Sequence, residues 1–171
     1  MHKCLPALIA AFAIAAYPAT APGVNKLRII AAPGVATTKP KDWHNTFGVA
    51  GKDFVVQCPK CAPIQTVTFP GKDVATLHYG QNAYHHWVSG LVTGAFSLGI
   101  GLIVGLMPHH QHFFSIDLKN GKVLAIQADK SDYKQIAGML ENGTGLPIEV
   151  TAKDAHYLAG FNTKITADEK K

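Results

Sequence analysis

The sequence predicts an α+β fold class: a small strand-rich module with one amphipathic helix, interrupted by a glycine-rich transmembrane helix. Residues 87–107 contain no charged residue. As an α-helix they would be about 31 Å long, which matches the hydrocarbon core of a bilayer. Short runs of β-branched and aromatic residues lie on both sides of this segment and are separated by turn residues. Between residues 133 and 140, apolar residues recur at the spacing of one helix face.

The chain of 171 residues is long enough for one domain with appendages. Changes in composition divide it into regions with different expected roles. These regions are a signal peptide (1–21), a linker (22–42), a strand-rich N-terminal part (43–86), the transmembrane segment (87–107), a hairpin and helix part (108–160) and a disordered tail (161–171).

The first region has the pattern of a secretory signal peptide. Lys3 precedes an apolar core over residues 5–16, and small residues follow that core. An uncleaved anchor is the alternative interpretation of the same pattern. The linker is rich in Pro, Ala and Thr, and its apolar patch over residues 27–32 leaves room for one short strand.

Three strands are predicted before the apolar segment. Residues 54–56 and 64–69 are runs of β-branched or aromatic residues, and residues 74–79 alternate between apolar and polar side chains. The sequence Pro-Gly-Lys-Asp over residues 70–73 predicts the turn that separates the second strand from the third.

A hairpin, a helix and one more strand are predicted after the apolar segment. Residues 112–118 and 123–128 flank Asn-Gly, the strongest two-residue hairpin signal. Asp129 or Ser131 would begin a helix through Glu141, which Asn-Gly at residues 142–143 would end. Residues 147–151 form a further short strand in this prediction.

Small residues of the apolar segment fall on one side of the predicted helix. They are Gly90, Gly94, Ser97, Gly101 and Gly105, and they lie within about 80° of one another at the helical repeat. Such a face lets a second helix approach closely. The sequence therefore predicts a homo-oligomer formed through this helix, with membrane lipid around it.

The portion from residue 66 to residue 150 resembles uncharacterised bacterial membrane proteins with a pleckstrin-homology-like domain. The resemblance rests on VTFPGKDVATLHYG, an apolar segment, and HFFSIDLKNGKVLAIQADKSDYKQIAGMLENGTGLPIEV. It implies a PH-like sheet with one helix, and it implies no catalytic residues. If the strands on both sides of the apolar segment share one sheet, the segment must be a re-entrant hairpin. A continuous small-residue face favours a single span instead, and this is the geometry we expect.

Cys58 and Cys61 form a Cys-Pro-Lys-Cys motif. The motif fits a disulfide that holds a turn, half of a zinc site, or a redox pair of the thioredoxin type. A redox pair should open a helix, whereas the residues after Cys61 predict a turn and then a strand. A disulfide, or a pair of free thiols, that holds the turn between two strands is the interpretation we favour.

Histidines border the apolar segment on both sides, and imidazole is a common ligand of zinc, copper and haem iron. They are His78, His85, His86, His109, His110 and His112. A re-entrant hairpin would bring the two groups together, whereas a single span would hold them about 30 Å apart. Histidines at the level of the lipid headgroups are the alternative that needs no metal.

Composition and the absence of known motifs argue against several classes of function. The formal net charge is +5 and the lysines are spread along the chain, which argues against nucleic-acid binding. No phosphate loop, nucleophile elbow or zinc-protease motif occurs, so neither an enzyme, a cofactor nor a small-molecule substrate is predicted. We expect an exported, membrane-anchored binding or scaffold protein in the cell envelope. The alternative is a membrane protein that binds a metal or haem through its histidines.

Overall fold

The computed structural model describes residues 23–32, 42–61, 64–80 and 112–166. Within these residues it contains nine strands and one α-helix. The strands are β1 (Val24–Ala31), β2 (Asn45–Ala50), β3 (Asp53–Cys58), β4 (Gln65–Pro70), β5 (Val74–Tyr79), β6 (His112–Leu118), β7 (Val123–Ala128), β8 (Ile148–Thr151) and β9 (Thr163–Thr166). The helix α1 is Tyr133–Thr144, and two short 3-10 turns cover Gly71–Asp73 and Ala155–Leu158.

All nine strands belong to one mixed sheet, in the order β4-β3-β2-β1-β7-β6-β5-β8-β9. Neighbours are antiparallel from β4 across to β5. The pairs β5–β8 and β8–β9 are parallel. A tight turn cannot connect parallel neighbours, so the chain passes through α1 before β8 and through a 3-10 turn before β9. One sheet thus unites strands from both sides of the apolar segment.

The hairpin predicted from Asn-Gly is confirmed, and β6 and β7 have the predicted bounds. Gly121 has φ +78°, the left-handed conformation that this turn requires. The Asn120 side-chain oxygen accepts a hydrogen bond of 3.0 Å from the Lys122 amide. This local turn sets the register in which β6 faces β7.

Helix α1 covers one side of the sheet through Ile136, Ala137 and Leu140, which are buried as their spacing predicts. The helix ends at Thr144, three residues beyond Glu141, where the prediction ended it. Gly145 has φ +69° and donates its amide to the Glu141 carbonyl at 2.7 Å. A left-handed glycine after the last turn is the usual way to end a helix.

The glycine that was expected to stop the helix has a packing role instead. A Cβ atom at Gly143 would overlap the ring of Phe54. Phe54 lies between Phe47 and Phe69, with ring centroids 5.7 and 5.4 Å away. The missing side chain lets the last turn of α1 approach this aromatic group closely.

The side of the sheet opposite α1 is also buried at its centre. We call its central residues the second face: Arg28, His78, Phe113, Ser115, Ala125 and Gln127. Each alternates along its strand with a residue of the core under α1. Phe113 and Ala125 are buried hydrophobic residues that do not belong to that core. The second face is therefore a separate buried surface.

The strands that flank the apolar segment are hydrogen-bonded neighbours. The Gly80 amide, just after β5, donates to the Phe113 carbonyl in β6 at 3.1 Å. The two ends of the intervening chain therefore lie at the same edge of the sheet. A single membrane span that separates the two parts is wrong, because its ends would lie on opposite sides of the bilayer.

The predicted fold class is corrected accordingly. The described chain forms one nine-stranded mixed sheet with one helix, not a small module interrupted by a transmembrane helix. No helix among the described residues is long and apolar enough to cross a membrane. The expected transmembrane helix, and the membrane anchor built on it, are corrected with the fold class. Residues 87–107, including the small-residue face from Gly90 to Gly105, lie outside the described residues.

The predicted linker and the predicted tail each contain one strand of the sheet. Strand β1 lies within the region predicted as a linker, at the apolar patch for which one short strand was allowed, and β9 lies within the region predicted as a disordered tail. The predicted signal peptide, residues 1–21, lies outside the described residues.

Candidate functional site

Strand register arranges the second face in two rows. Arg28, Gln127 and Phe113 face one another across β1, β7 and β6. His78, Ser115 and Ala125 form the next row, across β5, β6 and β7. The two rows are separated by two residues along each shared strand, or about 7 Å. Polar groups that are distant in sequence are thereby collected on one surface.

Arg28 is the unusual residue of the first row. It is 6 % exposed, and its Nη1 donates a hydrogen bond of 3.1 Å to Oε1 of Gln127, which is also buried. Its Nε–H has no hydrogen-bond partner among the residues that the structure describes. Burial lowers the pKa of the guanidinium, but an arginine side chain in a protein stays protonated at neutral pH. The group is a buried cation.

The described residues offer this cation little compensation. Arg28 is the only arginine in the sequence, and of the 11 acidic residues only Asp168 and Glu169 lie outside the described ranges. None of the ion pairs among the described residues includes Arg28. An uncompensated buried charge carries a desolvation penalty of several kcal/mol. An anion at the guanidinium would offset that penalty.

In the second row, the ionisable side chains lie next to side chains of opposite charge. His78 Nε2 lies 3.3 Å from Oδ2 of Asp117, and Nδ1 lies 3.5 Å from Oε2 of Glu149. Glu149 also accepts a hydrogen bond of 2.9 Å from Lys164 Nζ. Two carboxylates thus flank one imidazole, and an exposed lysine balances one of them.

The second row resembles a catalytic constellation only in its residue types. Ser115 Oγ donates to Asp117 Oδ1 at 3.2 Å rather than to His78. A nucleophilic serine needs the imidazole as its base, so the order of contacts does not form a Ser-His-Asp relay. The two carboxylates lie at opposite ring nitrogens and do not converge on one point. No group of three or more potential metal ligands occurs within the part of the chain that is described.

His112 lies on the other side of the sheet, under α1. The Tyr79 hydroxyl lies 2.6 Å from its Nδ1, and the imidazole stacks on Tyr133 with ring centroids 3.8 Å apart. Burial lowers the pKa of His112, with a smaller contribution from the charge of Lys130. Burial also raises the pKa of Tyr79. Tyr79 therefore keeps its proton, the imidazole is neutral above the ordinary histidine pKa, and the two groups share one hydrogen bond.

The two described histidines that were predicted as metal ligands cannot share an ion. His78 lies next to Tyr79 in β5, and successive side chains of a strand point to opposite faces of the sheet. His112 contacts Tyr79 and so lies on the opposite face from His78. The other predicted ligands, His85, His86, His109 and His110, lie outside the described residues.

A disulfide joins Cys58 and Cys61 in the turn between β3 and β4, with their Cα atoms 5.4 Å apart. Cys58 is 1 % exposed and belongs to the core under α1. A buried apolar position disfavours the thiolate that exchange would release. This geometry suits a covalent brace of the turn better than a redox site.

Arg28 was not predicted as a functional residue. One signal was present: a single arginine interrupts the apolar patch over residues 27–32, and the chain contains no other. The carboxylate partners of His78 could not be found in this way, because they lie 39 and 71 residues further along the chain in strands β6 and β8.

Comparison of the sequence with models of protein families finds no match, and comparison with curated proteins finds none. The resemblance to PH-like membrane proteins stays a prediction. The functional inference therefore rests on the geometry of the second face.

Proposed function

We propose that this chain is an exported binding protein that takes an anionic ligand on its second face, with the Arg28 guanidinium as the anchor. One observation carries the proposal: the only arginine of the chain is buried, its Nε–H has no hydrogen-bond partner, and it is in no ion pair among the described residues. Arginine is well suited to this role, because its planar fork of donors matches the oxygens of a carboxylate or phosphate.

Binding is favoured over catalysis because the other reactive groups of the sheet are already engaged. His78 lies between two carboxylates, and Ser115 donates to Asp117. His112 is hydrogen-bonded to a tyrosine on the other face of the sheet. None of these groups is arranged to activate a nucleophile next to Arg28. An anion held there would be bound rather than transformed.

The disulfide supports the exported part of the proposal. Disulfides persist in oxidising compartments and are rare in a reducing cytosol. The Cys58–Cys61 bond of this structure fits the secretory signal expected over residues 1–21.

Thermal unfolding in the presence of a simple anion tests the proposal. A ligand that binds only the folded state raises its stability in proportion to the logarithm of ligand concentration. Sodium acetate and sodium phosphate, at constant ionic strength set with sodium chloride, should raise the melting temperature of the natural chain. Arg28→Gln should remove most of that rise.

Lys26→Gln is the matched control. Lys26 is an exposed cation two residues away in β1, so the substitution removes the same charge from the same strand. This variant should keep the full response to the anion. Equal responses of the two variants would show that the anion acts on general surface charge, and the proposal would be wrong.

A further inference from the structure

We infer that Asn120 is a site of spontaneous modification, at which the side-chain amide converts to a carboxylate through a succinimide. This inference does not depend on the proposed anion site. Asn-Gly occurs twice in the sequence, at residues 120–121 and 142–143. A glycine after an asparagine leaves the backbone nitrogen between them unshielded, because it carries no side chain. The structure places the two motifs in different backbone environments and favours reaction at the first.

The reaction needs only water as a co-reactant. The backbone nitrogen of Gly121 attacks the side-chain carbonyl carbon of Asn120, and the new C–N bond closes the succinimide ring. The side-chain nitrogen takes up the proton of the attacking nitrogen and leaves as ammonia. Water then opens the ring at one of its two carbonyls. Opening at the backbone carbonyl gives isoaspartate, and opening at the side-chain carbonyl gives aspartate.

The turn between β6 and β7 leaves this reaction open. Asn120 and Gly121 are exposed, and apart from the chain neighbours of Gly121 no described atom lies within 4 Å of the place that its Cβ would occupy. The Asn120 side-chain oxygen accepts a hydrogen bond of 3.0 Å from the Lys122 amide. This donor stabilises the oxygen as it gains negative charge during the attack. The Gly121 amide donates to the Leu118 carbonyl at 2.9 Å, so the turn must release one exposed hydrogen bond before the nitrogen can attack.

Helix α1 protects the second motif. Asn142 and Gly143 lie in its last turn, where the helical backbone points each amide along the helix axis toward the preceding turn and away from the asparagine side chain. A Cβ atom at Gly143 would overlap the ring of Phe54, and a Cβ atom at Gly71 would overlap the Gly143 carbonyl. A backbone packed in this way cannot turn toward the ring geometry without leaving its contacts. Asn142 is itself exposed, so the packing of the backbone, and not burial of the asparagine, distinguishes the two motifs.

The two products affect the hairpin differently. Aspartate keeps the main chain as it is and places a carboxylate between the exposed cations Lys119 and Lys122. Isoaspartate leads the main chain through the former side chain, which adds one main-chain atom to the turn. The Leu118 amide donates to the Lys122 carbonyl at 2.8 Å, and the Lys119 amide donates to the Asp73 carbonyl at 2.8 Å. An extra main-chain atom disturbs the match between these groups, so isoaspartate loosens the hairpin and its contact with the 3-10 turn before β5.

Peptide mapping by mass spectrometry tests the site on the folded full chain, kept in warm and mildly alkaline buffer and then cut by a protease that spares lysine. The peptide that contains Asn120 should gain the mass difference between an amide and an acid, with isoaspartate and aspartate as separate chromatographic peaks. Asn120 should react at least about tenfold faster than Asn142, because the orientation of reacting groups has effects of that size or larger. Asn120→Gln, whose longer side chain cannot close the same ring, is the matched control and should show no conversion at that position over the same period.

The chain unfolded in urea shows whether the fold causes this difference. Both motifs then present the same Asn-Gly pair to water, so Asn142 should accelerate until the two asparagines react at similar rates. Equal rates of Asn120 and Asn142 in the folded chain would show that the structure does not select between the motifs, and the inference would be wrong. It would also be wrong if Asn120 stayed an amide in the folded chain, whether or not it reacts in urea.

Thermal unfolding tests the consequence for the hairpin. The aged chain carries one more negative charge, so ion exchange separates it from the unmodified chain, and it contains both products. Asn120→Asp reproduces the aspartate product alone and should melt like the natural chain, because Asp-Gly suits the same turn as Asn-Gly. The aged fraction should melt at a lower temperature than Asn120→Asp. Equal melting temperatures would show that isoaspartate does not loosen the hairpin, and that part of the inference would be wrong.

Discussion

The two rows of the second face are equally buried at their centres but differ in how charge is balanced. Arg28 has a neutral amide as its hydrogen-bond partner. His78 has a carboxylate at each ring nitrogen. Both side chains lie on the same surface, within a few strands of each other. A buried ionisable group whose partners come from the chain stabilises the fold, whereas one whose partner is missing points to a molecule that arrives from solution.

The difference also explains why the two rows should respond oppositely to substitution. Removing His78 takes away the group that two carboxylates face. Removing Arg28 takes away a charge that nothing in the described chain neutralises. The free energies of unfolding of matched variants can therefore test this difference without knowledge of the ligand.

The largest effect is expected in the compensated row. His78→Leu should destabilise the chain by about 2–3 kcal/mol, because Asp117 and Glu149 lose the imidazole that both carboxylates approach within 3.5 Å, in a partly buried site. Urea unfolding measures this loss. His44→Leu, at an imidazole that is 65 % exposed, is the control and should change stability by less than about 0.5 kcal/mol. A His78 variant as stable as the control would show that the row contributes nothing to the fold.

Arg28→Met should have the opposite sign. It replaces an uncompensated buried cation with an apolar side chain of similar length, and such replacements stabilise proteins by about 1–2 kcal/mol. In a chain of 171 residues this corresponds to a rise in melting temperature of about 2–8 °C. Lys26→Met controls for the loss of one charge from β1. A clear loss of stability in Arg28→Met alone would mean that the chain itself compensates the guanidinium, and the contrast between the rows would disappear.

His112, unlike His78, lies under α1 without a carboxylate at either ring nitrogen, and its burial predicts that stability depends on pH. Because burial lowers the pKa of His112 in the folded chain, the unfolded chain takes up a proton first as pH falls. Stability should be complete above the ordinary histidine pKa of about 6.5 and should fall below it, by at most about 1.4 kcal/mol per pH unit. His112→Gln should flatten this dependence between pH 7.5 and 5.5, as measured by urea unfolding at each pH.

The titration of Asp129 does not affect stability between pH 7.5 and 5.5. Its hydrogen bonds from Ser131 lower its pKa from 3.8, so its contribution to stability is lost only at more acidic pH. An unchanged slope in His112→Gln between pH 7.5 and 5.5 would show that another group is responsible for the loss.

The smallest effect is expected at the rim of the second row. Lys164 is 62 % exposed in its contact with Glu149, so solvent and salt screen the pair. Lys164→Met should cost about 0.2–1 kcal/mol at low salt, and less in 0.5 M sodium chloride. A loss as large as that of His78→Leu would place the lysine among the essential partners of the row.

Local patterns predicted several elements well. The Asn-Gly turn depends on a glycine at φ +78° and an adjacent asparagine, and both act within a few residues. The buried stripe of α1 follows from the helical repeat alone. Strand β2 was not predicted. The helix end at Thr144 was not predicted either, because Gly143 and Gly145 both suit the end of a helix and only packing against Phe54 distinguishes their roles.

The apolar segment shows where hydropathy misled the prediction. An uncharged run of suitable length satisfies the criteria for a membrane span, but those criteria contain no information on how the flanking strands pair. The hydrogen bond from Gly80 to Phe113 joins residues on the two sides of that run. Strand pairing, which is a long-range property, overrides the prediction from a local window.

The candidate site could not be assembled from sequence for the same reason. Arg28 and Gln127 are 99 residues apart, and the contact forms because β1 pairs with β7. His78 acquires one carboxylate from β6 and another from β8, an antiparallel and a parallel neighbour. No spacing rule connects these residues.

Residues close together in the chain were enough to predict the turns, the buried stripe of the helix, the alternation of the strands and the presence of one arginine in an apolar run. Which strands are neighbours, which faces are buried and which charges find a partner became known only from the folded sheet. The physical reason is that electrostatic compensation acts through distances of a few ångströms in space. A chain that brings His78 between two carboxylates and leaves Arg28 beside an amide makes that distinction only when its sheet is complete.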